Sequence, residues 1–298
     1  MKNFTRILMG CLLSAVSVVS ASAADKLFMI GDALWGNWTP SNSVWMVQTS
    51  DNVFKATIYL DKDAAEGFKL MTETDWGCEQ YRAGDEGVVL TEGQPATLVS
   101  NNDDNGADKK FSVSESANYD VVCNLNDMTI TATKAAYQEN PIKHNVLWLY
   151  GSATPTGWSL GNNDMCPMDW DEANPMVFTA KGVELNEGEL KFACNKFGGF
   201  DQTFYQRNAT DPTKVVFGGD DNKWNIEEAG KYDITLNVAD MTISIVKSTA
   251  TGISSVEANT NAPVEYFTLD GKRVSSLGNK GVYIKRQGSK ATKVVVSE

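Results

Sequence analysis

The sequence has very little histidine and fewer basic than acidic residues. Its 298 residues include one histidine, His144, and 26 Lys+Arg stand against 38 Asp+Glu, which gives a formal net charge of -12. A single histidine argues against a Ser-His-Asp hydrolase and against a histidine-rich metal centre. The negative charge argues against a nucleic-acid partner, because such sites need basic patches that neutralise phosphates.

Long apolar runs are confined to the beginning of the chain. Two basic residues precede an apolar segment over 7–19, and residues 21–23 read Ala-Ser-Ala, a small-residue cleavage signal. This layout predicts a secretory signal peptide over residues 1–23, so we expect an exported protein. A partial lipobox ends at Cys11, but the apolar run before it is short, which argues against a lipid anchor there. No later run approaches the roughly 20 apolar residues of a membrane helix.

Cysteine is scarce as well. Beyond the predicted signal peptide, each half of the chain has two cysteines: Cys78, Cys123, Cys166 and Cys194. None of their spacings is a zinc pattern. Four cysteines in an exported protein allow three disulfide pairings. Cys123 lies on the apolar side of an alternating segment, which equally fits a buried free thiol.

The chain contains an internal repeat of roughly 120 residues. Four pairs of segments match: 27–38 with 147–158, 53–57 with 177–181, 66–70 with 188–192, and 119–131 with 232–244. Both members of the last pair begin with Tyr-Asp and contain Asp-Met-Thr-Ile. Two copies of this length indicate domain duplication and not a solenoid.

Each copy has the pattern of β structure. The segments are rich in Val, Ile, Thr, Tyr and Phe, and Gly, Asn and Asp separate them. Residues 232–238 alternate between apolar and polar, as in a strand with one buried face. Asn126-Asp127 and Ala239-Asp240 predict tight turns that close hairpins. The sequence therefore predicts an all-β fold with two tandem immunoglobulin-like β-sandwich domains and a small C-terminal β unit.

Composition sets the expected boundaries. A polar, proline-containing stretch over 138–143 separates the repeats, and a small-residue stretch resembles a linker. Asp270-Gly271 between two strand-like runs predicts a hairpin in the last unit, which is marginal alone at fewer than 40 residues. The expected organisation is a signal peptide over 1–23, sandwiches over 24–137 and 144–247, a linker over 248–262 and the C-terminal unit over 263–298.

The eight tryptophans and nine tyrosines are abundant enough to form either cores or binding surfaces. Aromatic rings stack on the flat C–H faces of sugars, and polar side chains hydrogen-bond the hydroxyl groups around them. Candidates for such a site in the first repeat are Trp38, Lys69, Trp76, Tyr81 and Arg82. Those in the second are Trp158, Lys191, Asn195, Gln202, Tyr205 and Arg207.

The tryptophans also have structural interpretations. Trp38 and Trp158 are repeated, which fits a packing role as well as a ligand platform. Trp224 aligns with Phe111, and the exchange of one apolar ring for another favours the core. Trp76 lies in a less regular segment and is the better platform candidate.

Tyr205 likewise lies in a less regular segment and is expected to be the functional counterpart of Trp76. Lys69 and Lys191 each stand between apolar residues of an alternating strand. Their ammonium groups should therefore point away from the core, and a solvated face is the simplest interpretation.

Nothing in the sequence predicts catalysis or a cofactor. Carboxylates are plentiful, but no motif selects a glycosidase pair, so a hydrolase is the least favoured function. The loop over 101–106 faintly resembles a calcium loop, but Ser112 stands where the twelfth-position Glu is needed, and solvated turns are the default for such residues. No metal is predicted. His144, at the boundary between the repeats, is expected at the surface.

The repeat resembles the starch-binding domains of the SusE and SusF outer-membrane proteins of gut bacteria. The residues that carry the resemblance are Gly151, Gly157-Trp158, the segments 188–192, 223–226 and 230–234, and the Met-Thr-Ile strand. The resemblance implies a β-sandwich that binds α-glucan at the cell surface without cleaving it. The expected partners are a polysaccharide or oligosaccharide and outer-membrane glycan-uptake machinery. The alternative is a structural or protein-interaction surface protein without glycan binding.

The tail resembles a type IX (Por) secretion C-terminal sorting domain. Thr251-Gly-Ile, the run over 266–274 and Gly-Val-Tyr-Ile over 281–284 carry this resemblance. It implies the secretion machinery as a partner. SusE and SusF proteins are normally lipoproteins without such a tail, and this sequence departs from them on both points.

Overall fold

A computed structural model describes residues 24–103, 106–248, 264–268, 272–274, 281–287 and 290–296. These ranges form β-strands and one short 3-10 helix, without an α-helix among them. The all-β prediction is therefore confirmed. Two compact units divide between Ser248 and Thr249. The predicted signal peptide with Cys11, and the predicted linker after Ser248, lie outside the described residues. No helix in the described ranges is long and apolar enough to cross a membrane.

The first repeat consists of ten strands and the 3-10 helix Pro40–Asn42, which follows β1. The strands are β1 (Leu27–Gly31), β2 (Val44–Ser50), β3 (Val53–Leu60), β4 (Phe68–Met71), β5 (Gln80–Ala83), β6 (Val88–Leu90), β7 (Ala96–Ser100), β8 (Phe111–Val113), β9 (Ala117–Asn124) and β10 (Thr129–Lys134). They pair in the order β1-β2-β3-β9-β10-β7-β5-β4-β8-β6, and β4 pairs back onto β1. The sheet therefore closes around its core.

The second repeat consists of nine strands in two separate sheets. The strands are β11 (Trp148–Tyr150), β12 (Asp169–Trp170), β13 (Val177–Leu185), β14 (Gly188–Ala193), β15 (Phe204–Arg207), β16 (Val215–Phe217), β17 (Trp224–Ile226), β18 (Gly230–Asn237) and β19 (Thr242–Lys247). One sheet has the order β11-β14-β15-β16 with β17 beside β14, and the other has the order β12-β13-β18-β19. Two facing sheets of this kind form a β-sandwich.

The strand pairings repeat along with the sequence. β4 pairs with β1, β5 and β8, and β14 pairs in the same way with β11, β15 and β17. The hairpins β9–β10 and β18–β19 are also equivalent. Their turns place Met128 and Met241 at positive φ, 51° and 54°. The hairpins predicted at these turns are thus confirmed.

Equivalent side chains stabilise the core of each repeat. Tyr119 on β9 and Tyr232 on β18 lie at matching positions, and each donates its phenolic hydrogen to a backbone carbonyl four residues earlier, at 2.8 and 2.7 Å. Trp224 is buried in the second core and pairs beside Leu190, as Phe111 pairs beside Phe68 in the first. The prediction that Trp224 belongs to the core is confirmed.

The segment between the repeats is bonded to the first repeat. The Asn118 side chain on β9 donates to the carbonyls of Tyr137 and Asn140, both at 2.9 Å, and accepts from the amide of Ile142 at 2.9 Å. The amide of Tyr59 on β3 donates to the Ile142 carbonyl at 2.9 Å. The proline-containing stretch is therefore fixed along β3 and β9.

The second unit is a small antiparallel sheet. Its strands are β20 (Val264–Thr268), β21 (Arg273–Val274), β22 (Gly281–Gln287) and β23 (Lys290–Val296), in the order β21-β20-β22-β23. β20 and β21 form the predicted hairpin, although the turn residues Asp270 and Gly271 lie outside the described residues. Across this hairpin Arg273 pairs with Glu265 at 3.0 Å.

Candidate functional site

Lys69 lies at the centre of a cluster on the outer side of β4. Its neighbours Phe68 and Leu70 point into the first core, so strand alternation directs Lys69 to the opposite face. There it is not solvated, since its side chain is only 4% exposed. Its Nζ donates to both carboxylate oxygens of Asp108 at 2.8 Å. The expectation of a solvated lysine is wrong because other side chains cover this face.

Two tryptophans form part of that cover. The Lys69 ammonium lies 5.8 Å from the centroid of Trp38 and 5.3 Å from that of Trp76. Distances of this kind place a cation within reach of the electron-rich ring faces. Trp76 remains 47% exposed. The cluster therefore combines a covered cation with a ring that is open to solvent.

Further charges surround Asp108. Arg82 Nε lies 3.1 Å from one carboxylate oxygen and Lys110 Nζ 3.4 Å from the other. Lys110 also pairs with Glu66 at 3.1 Å and lies 5.4 Å from the Trp38 ring. Three cations and two carboxylates thus meet beside the two tryptophan rings.

Burial and charge act in opposite directions on the titration of the central pair. Burial lowers the pKa of Lys69, and its bond to Asp108 offsets this only in part. Burial alone would raise the pKa of Asp108, but Lys69, Lys110 and Arg82 outweigh it and the Asp108 pKa is lowered. The carboxylate is therefore held in its charged form.

The second repeat carries an equivalent cluster around Lys191 on β14. Its buried Nζ donates to Asp221 at 2.8 Å, and Lys223 pairs with the same carboxylate at 2.9 Å. The bond from Lys191, assisted by Lys223, lowers the pKa of Asp221. Lys191 Nζ also lies 3.8 Å from the ring centroid of Phe204 and 5.8 Å from that of Trp158. The expectation of a solvated lysine is wrong here for the same reason.

Exposed rings extend this second cluster. Tyr150 is buried beneath it, stacks on Phe204 and donates its phenolic hydrogen to the carbonyl of Trp158 at 3.2 Å. The Trp158 ring packs edge-on against Tyr150 and is 36% exposed. Phe200, with its centroid 6.3 Å from that of Tyr150, is 70% exposed. Trp158 thus offers open ring surface next to the lysine, and Phe200 offers open ring surface next to Tyr150.

The two clusters share four equivalent pairs of residues. The equivalent pairs are Trp38 and Trp158, Lys69 and Lys191, Asp108 and Asp221, and Lys110 and Lys223. Trp76 in the β4–β5 loop corresponds by location to Phe200 in the β14–β15 loop. The two aspartates, Lys110, Lys223 and Phe200 were not among the candidates chosen from the sequence. The signal was an Asp-x-Lys-aromatic motif, at 108–111 and 221–224, directly before and into β8 and β17.

The candidate tyrosines lie elsewhere. Tyr81 pairs beside Leu70 and Tyr205 beside Phe192, so the two tyrosines are equivalent core residues. Burial raises the pKa of Tyr81 to about 12, with smaller contributions from Glu79, and burial also raises the pKa of Tyr205. Tyr205 is 2% exposed, so the expectation that it is an open platform is wrong.

Three polar candidates of the second repeat bond to backbone or junction groups. Asn195 is buried and donates to the carbonyl of Ser43 at 3.0 Å. Gln202 accepts from the amides of Cys194 and Asn195 at 2.9 and 2.8 Å. Arg207 Nε donates to the carbonyl of Lys223 at 2.9 Å and thus fixes the backbone of a residue that belongs to the cluster.

His144 is not a surface residue. Its ring lies between Trp35, Tyr205 and Phe217, with centroids 4.7, 5.5 and 5.6 Å away. Burial, with a small contribution from Lys143, lowers the pKa of His144 to about 3. The expectation failed because aromatic residues from both repeats enclose the boundary.

The cysteines and acidic loops form no metal site in the described chain. All four cysteines are free thiols: Cys78, Cys123, Cys166 and Cys194. Cys123 is buried, which agrees with the expectation of a buried free thiol on the apolar side of its strand. Among the described residues, no group of three or more His, Cys, Asp or Glu side chains is placed to hold a metal ion. Residues 104 and 105 of the acidic loop lie outside the described ranges.

A comparison with solved structures finds a weak structural likeness. No family model matches the chain, and no curated protein matches it. The crystal structure of SusF from Bacteroides thetaiotaomicron aligns with 16% identity and a TM-score of 0.29 over 76% of this chain and 48% of that one. This chain thus spans about half the length of that protein. At this TM-score the likeness does not bear on function.

Proposed function

We propose that the protein binds carbohydrate without cleaving it, through the twin clusters of the two repeats. The observation that carries this proposal is the recurrence of one constellation, a tryptophan and a covered lysine with an Asp-x-Lys pair, beside an exposed ring in each repeat. A constellation needed only for packing has no reason to leave Trp76 and Phe200 open to solvent. Exposed rings beside fixed charged groups match the stacking faces and hydroxyls of a sugar.

The ligand class comes from the sequence resemblance to starch-binding domains. It points to an α-glucan, bound in an exported protein at the cell surface or in the medium. The C-terminal unit, with its resemblance to a sorting domain, would then serve secretion.

The charge states of the clusters support binding without catalysis. Retaining and inverting glycosidases need a carboxylic acid whose raised pKa keeps it protonated. The pKa of Asp108 is instead lowered by Lys69, Lys110 and Arg82 against the effect of burial, and that of Asp221 is lowered mainly by Lys191. These carboxylates suit the fixing of lysines better than the delivery of protons.

One observation favours the alternative, a protein-interaction surface without glycan binding. Both central lysines are already paired with aspartates of their own repeat. A protein partner could use the exposed rings alone, since aromatic side chains are enriched at interfaces.

Affinity electrophoresis in gels that contain starch, pullulan, xylan or mannan tests the proposal. We expect the full chain to be retarded by the α-glucans starch and pullulan and to migrate freely in the other two gels. Trp76→Ala and Phe200→Ala should each weaken the retardation. Phe200→Ala should leave the melting temperature unchanged, because its ring is 70% exposed, and Trp76→Ala should lower it only slightly, because its ring also covers Lys69. Unretarded migration in all four gels would overturn glycan binding.

Matched variants separate ring stacking from general surface effects. Trp76→Phe retains an aromatic face and should restore part of the retardation. Val246→Ala changes an exposed apolar residue on β19, in the sheet of the second repeat that does not carry the cluster, and should have no effect. Release of reducing sugar by the purified protein would contradict its non-catalytic part.

A further inference from the structure

The two loops that carry the exposed rings contact each other. In the β4–β5 loop, Thr74 Oγ1 donates to the carbonyl of Phe197 in the β14–β15 loop at 2.8 Å. Trp76 follows Thr74 by two residues, and Phe200 follows Phe197 by three. With roughly 3.5 Å per residue along the chain and one hydrogen bond between the loops, the two backbone positions lie within about 25 Å of each other. One flexible oligosaccharide of several units can cover such a span.

The faces that carry the clusters also join. Leu27 and Met29 point into the first core, so Phe28 lies on the same outer side of β1 as Ile30, the partner of Lys69. Phe28 packs against Trp45 and Phe197, with centroid distances of 5.4 and 6.2 Å.

The contact continues into the second repeat. Trp45 stacks on Phe197 at 5.3 Å and meets Trp148 edge-on at 6.1 Å. Trp148 lies on the outer side of β11 together with Tyr150, the partner of Lys191. An aromatic junction therefore runs from one cluster-bearing face to the other.

Hydrogen bonds also join the two repeats at this junction. The side chain of Asn42, at the end of the 3-10 helix that follows Trp38, accepts from the amide of Thr203 at 2.7 Å. The bond from Asn195 to the Ser43 carbonyl lies beside it. The segment that carries Trp38 is thus bonded directly to the loop that leads into Phe204. The repeats cannot separate here without breaking buried polar contacts.

The geometry points to one continuous binding face, on which a single linear glycan chain contacts the Trp76 and Phe200 sides together. This inference rests on the proposed function and adds its geometry: the two clusters act as subsites of one site, fixed by the junction, and not as two independent sites. A chain long enough to reach both gains affinity, because its second contact is intramolecular. The favoured ligand is then a long α-glucan chain and not a short oligosaccharide.

Calorimetric titration with linear maltooligosaccharides tests this inference on the full chain. We expect maltotriose to bind weakly with two molecules per protein, and maltodecaose to bind with one molecule per protein and about 10-fold or more tighter. Light scattering should show that the maltodecaose complex contains a single protein chain. In Trp76→Ala, maltodecaose should fall to the affinity of maltotriose.

Two molecules of maltodecaose per protein, each at the affinity of maltotriose, would overturn the continuous face while leaving glycan binding intact. No binding at any length would overturn the proposed function itself, and the inference with it.

A junction variant tests the positioning role directly. Thr74→Val keeps the shape of the side chain and removes its bond to the Phe197 carbonyl. We expect the affinity ratio between maltodecaose and maltotriose to fall while maltotriose binding stays unchanged. Thr74→Ser retains the hydroxyl and should restore the ratio. An unchanged ratio in Thr74→Val would contradict the role of this contact.

Discussion

Replacing Asp108 by asparagine should destabilise the first unit by an amount set by the burial of Lys69. Asp108→Asn keeps the shape of the side chain and removes the charge that faces the ammonium at 2.8 Å. Losing one partner of a fully buried pair costs about 3–5 kcal/mol. Asp108 itself is 44% exposed, and asparagine can still accept one hydrogen bond. We therefore expect a loss of about 1–2 kcal/mol in the free energy of unfolding.

Urea unfolding followed by tryptophan fluorescence measures this loss. All eight tryptophans precede residue 249, so the signal reports only on the larger unit. In a Lys69→Met background the most buried charge is gone, and Asp108→Asn should then cost less, because only Arg82 and Lys110 still lose a partner. The coupling energy of this double-mutant cycle should therefore be about 1 kcal/mol or more. Glu115→Gln, which breaks the exposed pair with Lys134, is the control and should leave the midpoint unchanged.

The pH dependence gives a second check. The pKa of Asp108 is lowered in the folded chain, because the neighbouring cations outweigh the opposing effect of burial. Its contribution is therefore present above the unfolded value of about 3.9 and is lost as the pH falls through the folded pKa. The difference between wild type and Asp108→Asn should shrink below about pH 4. A coupling energy under about 0.5 kcal/mol at pH 7 would refute the reasoning, since it would mean that water screens the pair.

Two further predictions concern the core and the junction. His144, with a pKa of about 3, stays neutral in the folded chain, so the free energy of unfolding should fall by at most about 5 kcal/mol as the pH drops from about 6.5 towards 3. A pH series of urea midpoints should therefore be flatter in His144→Phe than in the wild type. Equal slopes for the two proteins would contradict the lowered pKa. Gly31→Ala should prevent stable folding, because a Cβ there would overlap the Gly67 carbonyl, whereas Gly84→Ala, which meets only ordinary contacts with Thr97, should leave the melting temperature nearly unchanged.

Local signals in the sequence were enough to predict the strands and hairpins. Period-two alternation in residues 232–238 and the turns before Met128 and Met241 depend on neighbours in the chain, and the structure has both hairpins. The repeat also placed Trp224 in the core correctly. Such features need no knowledge of distant contacts, which is why they could be predicted.

The errors arose where distant segments decide the environment. Alternation correctly gave the face on which Lys69 and Lys191 lie, but not the rings and aspartates that cover it. Tyr205 appeared to lie in an irregular segment because its strand partner, Phe192, is known only from the register. The Asp-x-Lys motif is visible in the sequence, but its aspartate follows the lysine it pairs with by 39 residues in the first repeat and by 30 in the second. Because the two separations differ, the sequence alone does not connect each aspartate with its lysine.

The segment joining the repeats has a consequence for the fate of the duplication. Asn118 and Tyr59 bind its backbone, and Asn145, two residues after it, accepts from the amide of Thr57 at 2.8 Å. A protease therefore has no slack connector at which to release one intact copy, and recombination that removed either copy would expose the aromatic junction of the other. We therefore expect the two repeats to be stable only as a pair.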